Sequence, residues 1–227
     1  MTDLPEPARL YLRHAIAPGT PRARSVWLRA AYRMRPKPGG PLIDLVSEEI
    51  LTPFESFVWT ARFRMGPVPM RVRDHYAHGD GAMSVRALGF LPVGGSKGPD
   101  VARSARYRLA AESVWLPSAF LPGERARWEP VDDERARVTP TVDGEDVPIV
   151  LRVDASGRLL ELTMERHGNV GVEAWQPIPY GFAVEEERTV DGHTVPWRLR
   201  GGWWYGTERF RDDDAVVVRV EEIRFTW

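Results

Sequence analysis

Apolar residues alternate with polar ones along most of this chain and recur every three to four positions in only two stretches, which sketches a strand-rich architecture with two helices. Between Pro5 and Ala17 the positions Ala8, Leu12 and Ile16 form one stripe that Pro18-Gly19 ends, predicting an amphipathic helix. Alternation follows. Val26, Leu28, Ala30, Tyr32 and Met34 interleave with Arg29, Arg33 and Arg35, and Pro36-Lys37-Pro38-Gly39-Gly40 then turns the chain. A short strand is expected from Ile43 to Leu51, and a long one from Phe54 to Met65, with Phe57, Trp59, Ala61, Phe63 and Met65 on one face. Hairpin connections at Met65-Gly66-Pro67-Val68-Pro69 and Gly79-Asp80-Gly81 lead into strands at Met70 to His78 and Met83 to Leu91.

The period changes between Asp100 and Trp115. Val101, Ala105 and Leu109 sit at helical spacing, free of Gly and Pro, with Asp100 able to cap the start and Pro117 to stop the end. Strands resume at Ala126 to Glu129, Glu134 to Val142, Val147 to Asp154, Leu159 to Arg166, Gly181 to Val190, Thr194 to Tyr205 and Ala215 to Phe225. Asp143-Gly144, Ser156-Gly157 and Asp191-Gly192 supply residues tolerant of positive φ between them. In the last strand Val216, Val218 and Val220 share one face, and Ile223, Phe225 and Trp227 the other, so a β-bulge is expected near Glu221-Glu222.

About eleven or twelve strands with one helix midway are read as a mainly β fold in a single domain spanning residues 1–227. A sheet this wide cannot stay flat without exposing an apolar face, so a large curved antiparallel half-barrel is expected. Its central helix would lie in the concavity, beside an N-terminal helix.

Composition narrows the chemistry. With 31 basic and 32 acidic residues the net charge is −1, which argues against a nucleic-acid partner. All basic residues but Lys37 and Lys97 are arginine, a bias that a GC-rich genome also produces. The absence of cysteine excludes disulfides, thiolate catalysis and cysteine-ligated metals. The acids Asp3 and Glu6 and the broken apolar run argue against a signal peptide, and no stretch is apolar enough for an integral membrane segment; a cytoplasmic location is expected. His75 and His78 would fall on opposite faces of a strand, so no metal site and no cofactor are expected. Gly94-Gly95-Ser96-Lys97-Gly98 lacks the spacing of a phosphate loop and is read as the segment by which the chain leaves the sheet for the helix.

Two sets of residues are candidates for function. Nine tryptophans, among them Trp59, Trp115, Trp197 and Trp203, fall in segments expected to converge, and with Phe57, Phe63, Tyr76 and Tyr205 they either line a cavity or fill the core. Trp203 shares parity with Trp197, Leu199 and Tyr205, the face expected to point inward. Asp74 shares parity with Met70, Val72 and Tyr76, so it too is expected inside, where it needs a cation. Arg108 on the central helix is the candidate, with Glu112 one turn later. Such a cluster could bind a headgroup, could act as acid and base through Asp74 and Glu112, or could only tie helix to sheet.

The strings GPDVARSARYRLAAESVWLPSAFLP, TVDGE, VDASGRL, ERHGN and ERTVDGHTVPWRLRGGWWYGTERF together resemble, over nearly the whole chain, a bacterial domain family of unknown function. The order of elements, and VDASGRLLELTMERHGN followed by HTVPWRLR, are also similar to the lipoprotein-carrier half-barrel of periplasmic lipoprotein chaperones and mycobacterial lipid carriers. That resemblance implies an apolar cavity that holds an acyl chain. The chain is read as departing from those carriers in lacking an export signal and a lipidation cysteine, which puts a periplasmic sorting role in doubt. The leading expectation is binding of a small hydrophobic or amphipathic ligand, such as a lipid, isoprenoid or polyketide, under the central helix and a Leu116-Pro117-Ser118-Ala119-Phe120 lip. The alternatives are an enzyme on the same scaffold using carboxylate acid/base chemistry, and a partner-binding protein with a filled core.

Overall fold

The structure, a computed structural model, describes residues 4–36, 39–123 and 125–227, so Lys37 and Pro38 of the expected first turn lie outside the described residues. After helix α1 (Glu6–Ala15) come β1 (Ser25–Met34), β2 (Ile43–Thr52), β3 (Ser56–Met65), β4 (Val68–Ala77), β5 (Asp80–Ala87) and β6 (Leu91–Lys97). Helix α2 (Pro99–Glu112) continues into 3₁₀ turns at Ser113–Trp115 and Pro117–Phe120. The second half runs through β7 (Ala126–Pro130), β8 (Arg135–Val142), β9 (Glu145–Asp146), β10 (Ile149–Val153), β11 (Leu159–Gly168), β12 (Gln176–Val190), β13 (His193–Trp203) and β14 (Val216–Thr226).

The strands make one antiparallel sheet in the order β6-β5-β4-β3-β2-β1-β14-β13-β12-β11-β10-β8-β7, with the short β9 paired to β8. Flat, the eight strand spacings from β5 to β11 would span about 38 Å. Helix α2, about 10 Å across, touches both strands, so the sheet must curl around it. This is the half-barrel with a helix in its concavity that the sequence predicts.

Small residues let the helix sit close. Ala102, Ala105, Ala110 and Ala111 are buried, and a Cβ on Gly81 of β5 would fall 2.8 Å from the Cα of Ala102. The bulge in β14 is where the alternation slips: Arg29 pairs with Glu222 and Ala30 with Val220, leaving Glu221 unopposed.

Three local expectations are corrected. The glycine-rich 94–98 segment is mostly strand: Gly94 to Lys97 pair with β5 as the exposed edge strand β6, because paired backbone needs no side chains. Asp100 does not cap α2, which starts from Gly98; its carboxylate meets His167 at 2.8 Å instead. The Leu116–Phe120 segment is a plug rather than a lip, with Leu116 and Phe120 fully buried.

Because neighbouring strands alternate in direction, each rim of the half-barrel collects alternate chain ends. At one rim α1 and the Pro117–Phe120 turn pack over β7, β8, β10 and β13, with Phe120 5.8 Å from Phe54 and 6.5 Å from Trp128. The β4–β5 turn of that rim is pinned to the β8–β9 turn, since the Tyr76 hydroxyl donates to Asp143 at 2.6 Å and the Gly79 N–H to the same carboxylate. The opposite rim carries the ends of β1, β3, β5, β11 and β13 and is more open.

Candidate functional site

Below the open rim lies a cavity of about 210 Å³ between α2 and the sheet. Arg108, Ala111, Glu112 and Trp115 face it from the helical segment, and Trp59, Leu162, Tyr180, Phe182, Leu199 and Trp203 from the strands. Met34, Trp203 and Val216 also border an outer pocket of about 790 Å³ that reaches Trp204, Arg209 and Arg211. The inner space therefore adjoins a vestibule at the rim.

The inner wall is polar at one place. β2 presents Leu45, Ser47, Glu49 and Leu51 to the interior, and β3 and β4 bring Trp59 and Asp74 into register with Glu49. Arg108 projects into this row from α2. Its Nη1 donates to Asp74 at 2.8 Å, its Nε to Glu112 at 2.9 Å, and Nη2 stands 3.8 Å from Glu49. Its guanidinium also lies over the rings of Phe57 and Trp59, at 4.8 and 5.1 Å.

Three carboxyl groups thus share one guanidinium. Glu49 is the least solvated, at 0 % exposure, and neither oxygen has a hydrogen-bond partner among the described residues. Burial, reinforced by the charge of Glu112, pushes its carboxyl well above the ordinary 4.5. Burial works against the charge on Arg108, but Glu112, Glu49 and Asp74 outweigh it and hold the guanidinium protonated. Burial likewise raises Tyr32 and Tyr180, which are neutral phenols at physiological pH. The Tyr32 hydroxyl and the Trp59 indole N–H, both on cavity-lining side chains, have no partner among the described residues.

A second arginine lines the cavity differently. Arg166 lies 4.8 Å from the centres of both the Tyr180 and Trp203 rings and donates Nε to the Ser104 carbonyl at 3.3 Å. It makes no ion pair among the described residues, so this guanidinium is oriented but not neutralised.

Of the residues singled out from sequence, Trp59, Arg108, Glu112, Trp115 and Trp203 border the cavity. Phe57 and Asp74 stand behind them in contact with Arg108. Four lie elsewhere. Phe63 is near the β3–β4 hairpin, Tyr76 pins the packed rim, and Trp197 is buried in the core beneath Arg188, at 4.5 Å. Tyr205 is carried off its expected face because β13 ends at Trp203 and Trp204 takes φ 66°; its hydroxyl donates to Glu161 at 3.0 Å. Sequence reasoning missed Glu49, Arg166, Tyr32 and Tyr180 as site residues. Parity held a signal for three of them: Tyr32 shares phase with Leu28 and Ala30, Glu49 with Leu45 and Leu51, and Arg166 with Leu162 and Met164.

Sheet and helix define a curled antiparallel half-barrel with an aromatic cavity beneath a roofing helix. The chain belongs to a family of unknown function, DUF6544, whose profile matches residues 1–211. None of the curated proteins matches it in sequence. Among solved structures it is similar to a DUF1329 family protein from Desulfovibrio piger, at 14% identity and TM-score 0.48 over 96% of this chain and 91% of that one. It is also similar to a LolA superfamily protein from Nitrosomonas europaea, at 13% identity and TM-score 0.47 over 96% and 92%.

Proposed function

We propose that the protein binds one amphipathic small molecule, with its apolar part between α2 and the sheet and an acidic end group near Arg166. The supporting observation is a partly enclosed, aromatic-lined cavity in which the Tyr32 hydroxyl and Trp59 N–H lack protein partners and Arg166 lacks a counter-ion among the described residues. A volume of about 210 Å³ suits a slender chain better than a fused ring system, and the adjoining vestibule leaves room for a longer molecule to emerge. Asp74 and Glu112 are committed to Arg108, which supports binding over proton transfer.

Native mass spectrometry of protein purified from its own host tests this reading, with a co-purifying lipophilic acid as the expected result. Titration with a medium-chain carboxylate and the matching alcohol then probes the end group. Arg166→Gln should weaken the carboxylate by roughly ten- to a hundredfold, in line with about 1.5–3 kcal/mol for a charge-assisted hydrogen bond, and leave the alcohol nearly unchanged. Unliganded protein that takes up neither compound would sink the proposal. A cytoplasmic location and a single folding unit belong to the same proposal, checked by fractionating host cells and by testing for one cooperative unfolding transition.

A further inference from the structure

On the convex face, β3, β4 and β5 place Arg62 opposite Arg71 and Arg71 opposite Arg86. Like charges directly opposite one another destabilise a sheet unless an anion answers them. None does. Among the described residues no carboxylate lies within ion-pair distance of these three or of Arg73; on the outward face of the neighbouring β2, Asp44 pairs with Arg33, and Glu48 stands opposite Thr60 without reaching any of them. Several other outward arginines are matched, as Arg29 is to Glu221 at 2.9 Å, Arg152 to Glu161 at 2.8 Å and Arg198 to Glu185 at 2.6 Å.

The same corner exposes apolar side chains. The β5–β6 turn is Leu88-Gly89-Phe90, with Leu88 53% and Phe90 72% exposed, and Leu91, Val93 and Met65 of the neighbouring hairpin are also out in solvent. Leu88 takes φ 56°, a left-handed conformation that Asn, Asp or Gly adopts at less cost. An apolar residue is therefore held where turn chemistry favours a polar one. The Leu88 N–H bonds the Pro69 carbonyl at 2.9 Å, joining the β3–β4 and β5–β6 tips into one surface.

We infer that this corner docks on an anionic lipid bilayer, with the Leu88–Val93 tip entering the headgroup region and Arg62, Arg71 and Arg86 meeting lipid phosphates. The apolar tip beside the arginine row favours a bilayer over a nucleic acid, whose backbone offers nothing for Phe90 to enter. The rim that bears the tip is also the one onto which the cavity opens, since Met34 of β1, Ala87 of β5 and Trp203 of β13 end strands running the same way. Docking would turn the mouth of the cavity towards the lipid.

Co-sedimentation of the full chain with vesicles of phosphatidylcholine alone, or mixed with phosphatidylglycerol, tests this without reference to any cavity ligand. Binding should need phosphatidylglycerol and weaken with added salt. It should fall at least tenfold in Arg62→Gln/Arg71→Gln/Arg86→Gln and in Leu88→Asn/Phe90→Ser, the first half of which suits the turn and keeps the hairpin folded. Circular dichroism confirms folding of both variants. Equal binding to neutral vesicles, no binding to either, or unaltered binding by either folded variant would overturn the inference. Tighter binding to duplex DNA than to the mixed vesicles, insensitive to Leu88→Asn/Phe90→Ser, would overturn it in favour of a polyanion surface. None of these outcomes bears on whether the cavity takes a ligand.

Discussion

The two rims of the half-barrel are ends of the same antiparallel strands, yet one is packed and the other opens onto a cavity. At the packed rim Phe54, Phe120 and Trp128 pack against one another and against Tyr11 of α1, and the indole of Trp128 donates to the Phe120 carbonyl. At the open rim Trp59 finds no such acceptor, and Trp203 stands between inner cavity and vestibule. Unpartnered polar atoms do not by themselves make the difference. The Tyr11 hydroxyl and both His193 ring nitrogens also lack partners among the described residues, sealed between α1 and the sheet. A ligand site is indicated where such atoms coincide with open volume and an unpaired cation, as they do around Tyr32, Trp59 and Arg166.

The charge cluster that ties α2 over the cavity should give the largest effect. Arg108→Met leaves Asp74, Glu112 and Glu49 buried without a counter-ion and should cost about 3–5 kcal/mol in chemical denaturation. Neutralising Asp74 and Glu112 in the same chain, as Asn and Gln, should recover much of that loss. Next comes a direct contrast between rims. Phe120→Ala should destabilise by about 3 kcal/mol and leave ligand affinity unchanged in the protein that remains folded. Trp203→Ala should cost under about 1.5 kcal/mol while weakening ligand binding severalfold, because its ring is only partly buried. Equal effects of both on binding would erase the distinction.

Glu49 gives the comparison a pH signature. Its folded carboxyl titrates above 4.5, so the folded chain keeps a proton that the unfolded chain releases; stability is fully present below 4.5 and declines as pH rises towards the folded value. Glu49→Gln should remove that decline and be the more stable chain at neutral pH, as measured by melting temperature against pH. The smallest effect is expected at Gly168, where a Cβ would come within 2.5 Å of the Trp203 ring. Gly168→Ala should displace that ring and change ligand affinity with little loss of stability.

How much of this the sequence carried follows from what alternation can encode. Parity along β3 and β4 was enough to turn Trp59 and Asp74 inward, and spacing on α2 was enough to nominate Arg108 and Glu112 as partners. Curvature was legible too, since a sheet so wide has an apolar face to cover. Parity fails where a strand stops. A positive φ at Trp204 takes Tyr205 away from the face it shares with Trp203, and β12 begins at Gln176, early enough to bring in Tyr180. The edge strand β6 was illegible because Gly94, Gly95 and Ser96 offer no side-chain pattern, only backbone to pair.

The account rests most directly on the cavity being where a ligand sits. Leu162→Trp would fill the space among Tyr180, Leu199 and the helix without touching the arginine row on the convex face. Equilibrium titration with a fluorescent medium-chain carboxylate should give saturable one-to-one binding to the native chain. It should give none to the filled variant, whose circular dichroism is expected to match the native spectrum. Equal binding by a correctly folded Leu162→Trp would place the ligand somewhere else and contradict the account.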